Sequence, residues 1–158
     1  MDDRFERLLK RDATQVFLLA CPASLPNSFA VHPWFVVNRK GALSRWEIFW
    51  RPEIDWLLRW GHLHKNFYEP FDGIAVYPWK PTPQWQQVRL LGVVDDEMLA
   101  ARMADLIEES PEKYPYCNSY SLTGPNSNTY AQWVLNAVPE CGLQLPWNSF
   151  GKGFIARQ

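Results

Sequence analysis

Cysteine is scarce in this chain and poorly spaced for chemistry. Cys21, Cys117 and Cys141 are the only three among 158 residues, an odd number with no Cys-x-x-Cys pair, which argues against a zinc site and a disulfide framework. Charge of one sign is lacking too, with 16 basic residues against 17 acidic ones and a formal net charge of -1. Such a balance leaves no electrostatic footprint for nucleic acid or an anionic membrane, and neither partner is expected. No run approaches the roughly 18 to 20 apolar residues of a membrane helix. The charged opening from Met1 to Asp12 has no apolar stretch of the kind a secretory signal needs. These absences lead to the expectation of a soluble, cytoplasmic protein, with no metal and no cofactor.

Aromatic side chains are what the chain has in plenty. Nine Trp, nine Phe and six Tyr make up 15% of it, so large flat rings must line either a core or a groove. The length suits a single domain over residues 1–158 that buries a core without metal or disulfide staples.

The stretch Gly124-Pro125-Asn126-Ser127-Asn128-Thr129 bends the chain and delivers it into an apolar-periodic segment. Asn126, Ser127, Asn128 and Thr129 all carry oxygens able to accept from the free amides of a first helical turn. Tyr130, Trp133, Val134, Ala137 and Val138 follow at the spacing of one buried helical face, and Pro139 ends it.

Upstream, Thr14 to Ala20 reads as a strand, and Phe29 to Val37 as another whose ladder is interrupted by Pro33, which implies an edge or a bulge beside His32. Asn38-Arg39-Lys40-Gly41 is a turn leading to a third strand from Ser44 to Trp50, paired with the second as a hairpin. Alternation there sets Trp46, Ile48 and Trp50 on one face and Arg45, Glu47 and Phe49 on the other. A short helix is drawn near Ile54 to Trp60, a strand over Gly73 to Tyr77, a stiff extended loop over Pro78 to Pro83 and a strand over Trp85 to Val94. Asp95 or Asp96 caps a helix running to about Glu109, with Met98, Leu99, Met103, Leu106 and Ile107 as its apolar stripe and Pro111 closing it. Strands early and helices late give an α+β class with a largely antiparallel sheet packed against a few helices.

Ser127, at a helix start where amides and dipole favour negative charge, is the first candidate nucleophile. The dipole supplies about 0.3 to 1 kcal/mol, too little to ionise a hydroxyl, so a base is required. His32 on its irregular strand is the candidate base, and Glu47 on the paired strand is the group that would orient it. The same residues also have an ordinary role open to them, as a cap, a packed histidine and a solvated carboxylate. Asn126, Asn128, Trp34 and Tyr120 are assigned to contact with substrate, a small molecule or peptide. His62 and His64 are spaced to share a strand face but lack a third metal ligand. Cys117 sits among aromatics that would raise its pKa, and Gly151-Lys152-Gly153 is a turn rather than a phosphate loop.

Two resemblances rest on these residues. Glu112-Lys113-Tyr114-Pro115-Tyr116, Gly124-Pro125-Asn126-Ser127-Asn128-Thr129-Tyr130, Val138-Pro139-Glu140, Leu143, Leu145-Pro146 and Gly151-Lys152 together resemble the signature of a bacterial family known as domain of unknown function 3750. The order of a strand histidine followed by a helix-borne Asn-nucleophile pair also resembles the circularly permuted papain-like hydrolases, the group of the lecithin:retinol acyltransferases. That second resemblance implies a permuted papain-like fold and amide or ester chemistry, with Ser127 standing where the cysteine nucleophile would be. Loss of the thiol implies either a serine hydrolase that depends on His32 or a catalytically silent fold that binds through an aromatic groove.

Overall fold

The computed structural model describes residues 5, 7–50, 60–77 and 85–154. Five strands form one sheet: β1 (Thr14–Pro22), β2 (Val31–Arg39), β3 (Ala42–Ile48), β4 (Leu63–Lys65) and β5 (Arg89–Val94). Their spatial order is β4-β3-β2-β1-β5, and every neighbouring pair is antiparallel. Three helices follow, α1 (Glu97–Glu108), the single turn α2 (Ser110–Lys113) and α3 (Ser127–Ala137), then a 3-10 turn at Pro139–Cys141. The α+β class and the antiparallel sheet expected from the sequence are both present.

β1 and β2 occupy the middle of the sheet and are buried along nearly their whole length, which explains why both read as continuous apolar runs. Val16, Leu18, Phe35, Val37, Trp46 and Ile48 point to one face. There they meet Ala100, Met103 and Ile107 of α1 and Tyr130, Ala131 and Val134 of α3, with the Phe35 and Tyr130 rings packed edge to face at 6.1 Å. Truncating a buried ring such as Phe35 to alanine should cost about 3 to 5 kcal/mol. Phe17, Leu19, Cys21, Trp34 and Val36 point to the opposite face, which is covered by Phe5, Phe71, Ile74 and Val88.

The β2–β3 hairpin closes through Lys40 and Gly41, with φ values of 52° and 92°, as a two-residue turn of matching twist requires. Asn38 steadies it by accepting from the Gly41 amide at 2.7 Å. Pairing of β2 with β3 runs only from Phe35 to Arg39, so on that side the start of β2 is an edge and Pro33 leaves no ladder bond unmade. Pro33 is paired in register with Ala20 on the other side, without a bulge.

Several sequence expectations need correction. Gly73 to Tyr77 is not a strand; Ala75 bridges to Trp85 and the Ile74 carbonyl accepts from the Gln86 amide, but no longer ladder forms among the described residues. β5 starts at Arg89 rather than Trp85. Met98 is 83% exposed while Ala100 and Ala104 are buried, so small residues make the contact where α1 crosses β1. Pro111 does not simply end that helix but lies in the first turn of α2, where its missing amide is harmless. In α3 the buried stripe is Tyr130, Ala131, Val134 and Leu135, whereas Ala137 is exposed. The short helix drawn from residue 54 and the loop at 78–83 lie outside the described residues, apart from Trp60.

Candidate functional site

The start of α3 is built by Asn126. Its extended backbone, φ -159° and ψ -166°, makes it the N-cap, and its Oδ1 accepts from the amides of Asn128 and Thr129 at 3.0 and 3.3 Å. Thr129 completes the capping box by accepting from the Asn126 amide at 3.1 Å. The other end of Asn126 is equally engaged, with Nδ2 facing the carbonyl oxygens of Ser121, Leu122 and Phe150 at 3.1 to 3.2 Å. Gly151 leaves room for this amide: a Cβ there would sit 2.5 Å from Asn126 Nδ2, and its φ of +91° suits glycine. Thr129 then donates to the Gly151 carbonyl at 2.8 Å. The polar string is therefore a clamp between three segments of chain.

Ser127 is the first residue of α3. Its hydroxyl makes no hydrogen bond among the described residues, and it lines a cavity of about 900 Å³. His32 lines the same cavity, reached from the edge-like start of β2. The two elements are tied together beside the site, since Asn128 Nδ2 donates to the Val31 carbonyl at 3.1 Å and to that of Phe150 at 3.0 Å. The cavity opens at the end of the sheet, so it reaches both His32, which shares the Trp34 face, and the start of α3 on the other face. No hydrogen bond links Ser127 to His32 in this arrangement.

Behind His32 lies a buried, hydrogen-bonded ion pair. Continuing the β2–β3 register by one step sets Glu47 opposite Trp34, hence diagonal to His32 on one face, and His32 Nε2 meets Glu47 Oε2 at 2.8 Å. Arg45 holds the same carboxylate, with Nη2 donating to Oε2 at 2.9 Å and Nε in ion-pair contact with Oε1 at 2.7 Å. Its Nη1 donates to the carbonyls of Glu69, at 2.8 Å, and Asp72. The guanidinium lies 4.2 Å from the Trp34 ring centroid and 5.2 Å from that of Tyr68, a sandwich that suits a weakly hydrated planar cation. Burial alone would raise the Glu47 carboxyl, but the Arg45 charge and the His32 hydrogen bond outweigh it and hold the group below its ordinary value. An ionised carboxylate only accepts, so Nε2 carries the proton and, in the neutral ring, Nδ1 keeps its lone pair. No described residue hydrogen-bonds Nδ1.

The amides usually free at a helix start are mostly occupied here, those of Asn128 and Thr129 by Asn126 Oδ1. Ser127 N alone among the first three has no partner within the described residues, and it is the donor left for a developing oxyanion. Tyr120, half-buried, lines the cavity and packs edge to face on His62 at 5.5 Å; burial raises its hydroxyl pKa and lowers that of the His62 ring. Trp34 does not line the cavity. It is fully buried one layer behind, under Arg45, with its indole N–H donating to the Pro70 carbonyl at 2.9 Å.

His62 and His64 do not share a strand face, because β4 starts only at Leu63; His64 stacks on Phe49 at 4.1 Å while His62 turns to Tyr120. Among the described residues no three His, Cys, Asp or Glu side chains gather as a metal site. Burial raises the pKa of the Cys117 thiol and takes that of Cys21, directly across from His32 in register, to about 12. No helix among the described residues is long and apolar enough to cross a membrane.

Sequence places Arg45 on a strand face and Gly151 in a turn but gives neither a part in the site. The alternation that put Glu47 on its face put Arg45 there too, two residues away, and this was the available signal. Nothing in the sequence announced Gly151 as the neighbour of Asn126.

Neither a curated protein nor a solved structure matches the chain. A family model described as Protein of unknown function (DUF3750) matches residues 13–154, and over that span, which includes β1 to β5, the capped helix and the Asn126 clamp, the chain belongs to this family.

Proposed function

We propose that the protein is a serine-dependent hydrolase or acyltransferase acting on an amide or ester, a permuted relative of the papain-like hydrolases, working in the cytoplasm. One observation carries the proposal: Ser127 and His32 open onto one cavity, and Glu47 fixes His32 with Nδ1 as the nitrogen able to take a proton. Ser127 Oγ attacks the substrate carbonyl, its proton passing to His32 Nδ1 directly or through one water, and the Ser127 amide steadies the oxyanion. The carbon–oxygen or carbon–nitrogen bond to the leaving group breaks as His32 returns the proton to it. Water, or a second alcohol or amine, then releases the acyl group by the reverse sequence.

Hydrolysis of a neutral para-nitrophenyl ester tests this. Ser127→Ala should lower kcat by at least about 1,000-fold and His32→Ala by about 100-fold or more. Turnover that survives Ser127→Ala at the wild-type rate would refute it. The rival, a non-catalytic module that binds through its aromatic cavity, is favoured by the missing Ser127–His32 hydrogen bond and is the outcome if wild type shows no turnover.

A further inference from the structure

The side chains around the cavity have a chemistry of their own. Apart from His32, no described residue lining it carries a carboxyl group or a basic side chain; Asn, Ser and Tyr supply the polarity, and the rest is apolar. Arg45 and Glu47, the charged pair behind His32, are buried and satisfy each other. The mouth is apolar as well. Leu122 is 66% exposed and lines the cavity together with exposed Trp50 and Phe150, while Phe29, also 66% exposed, packs edge to face on Phe150 at 5.8 Å. Asn148 fixes that corner by donating to the Phe29 carbonyl at 3.0 Å. Three exposed large apolar side chains lining one cavity, with a fourth packed on one of them, are costly to hold against water unless something covers them.

Building on the reading of this cavity as the site, we infer that its ligand is an uncharged ester or amide whose acyl or leaving portion is apolar or aromatic and lies against Leu122, Phe150 and Phe29. A carboxylate, phosphate or ammonium on that portion would lose its water with no opposite charge to meet among the described lining residues. An uncharged group loses little and covers the exposed rings. The volume, about 900 Å³, suits a ligand of drug size with 70 to 90% of its surface buried, as pockets of roughly 300 to 1,000 Å³ do.

The test uses the full chain carrying Ser127→Ala, which binds without turnover, and three matched probes: N-benzylbenzamide, its para-carboxylate and its para-trimethylammonium analogue. Calorimetry should show the neutral amide binding at least about tenfold more tightly than either ion, as an unpaired charge in an apolar site demands. Adding Leu122→Lys should weaken the neutral probe and strengthen the carboxylate several-fold. Equal or tighter binding of a charged probe, no saturable binding of the neutral one, or indifference of all three to Leu122→Lys would overturn the inference. Turnover by the wild type separates the two proposals. Neutral binding without hydrolysis retains the ligand class and refutes the serine chemistry, whereas preferred hydrolysis of a charged ester does the reverse.

Discussion

Asn126 and Ser127 are consecutive and equally buried, yet one spends both ends of its side chain on backbone partners while the hydroxyl of the other lies beside a cavity without a hydrogen bond among the described residues. Stability should divide them accordingly. Loss of an N-cap typically costs about 0.5 to 2 kcal/mol, and Asn126→Ala also strands three carbonyls, those of Ser121, Leu122 and Phe150, so about 2 to 4 kcal/mol is expected. Ser127→Ala should fall within about 0.5 kcal/mol of wild type, since it removes no hydrogen bond among the described residues. Denaturant midpoints measure both, with unchanged m-values required before the shifts are taken as stability.

Gly151 and Asn126 should be energetically coupled, because a methyl on residue 151 collides with the Asn126 amide. Gly151→Ala is expected to cost about 2 kcal/mol or more, part from the positive φ and part from the displaced amide. In an Asn126→Ala background only the backbone part remains, so a double-mutant cycle should return a coupling of about 1 kcal/mol or more. Additive losses would show that the clamp is not one unit.

The Arg45–Glu47 pair carries a different signature. Both side chains are fully buried, and removing one partner leaves the other charge uncompensated, which costs about 3 to 5 kcal/mol. Arg45→Met and Glu47→Gln should each lose that much, and the double variant markedly less than the sum. Urea unfolding of the three variants decides it.

The pH dependence follows from Glu47. Its folded-state pKa is held below the ordinary value of 4.5, so the stability it contributes is fully present above pH 4.5 and disappears as pH falls through the lower folded value. Thermal midpoints recorded downward from neutral pH should decline below that point in wild type. In the Arg45→Met/Glu47→Gln protein this portion of the decline should be absent.

What could be read from sequence was what local chemistry determines. Asn126 caps α3 because a side-chain oxygen there reaches amides two and three residues on, and the strand face of Glu47 follows from period-two alternation. Arg45 eluded the reading because the groups that make its burial tolerable, Tyr68 and the carbonyls of Glu69 and Asp72, lie more than 20 residues away. Without them a strand arginine reads as solvated. Trp34 drew attention as an aromatic beside His32, but the next residue along a strand points to the opposite face, so only the one two residues away could share the His32 side; it does, as the floor under Arg45. Gly73 to Tyr77 has strand composition, but among the described residues its pairing is limited to one bridge. Gly151 gained its meaning only when the chain end folded back onto Asn126.

The central claim, that Ser127 is a nucleophile served by His32, is tested most directly by covalent labelling with a fluorophosphonate and peptide mapping by mass spectrometry. A single modified residue, Ser127, is predicted, with labelling absent in Ser127→Ala and at least about 100-fold slower in His32→Ala; both variants should still unfold cooperatively, His32→Ala from a lower stability because it strips the buried Glu47 carboxylate of one partner. Labelling of the folded wild type elsewhere than Ser127, or none at all under conditions that modify a known serine hydrolase, would contradict it.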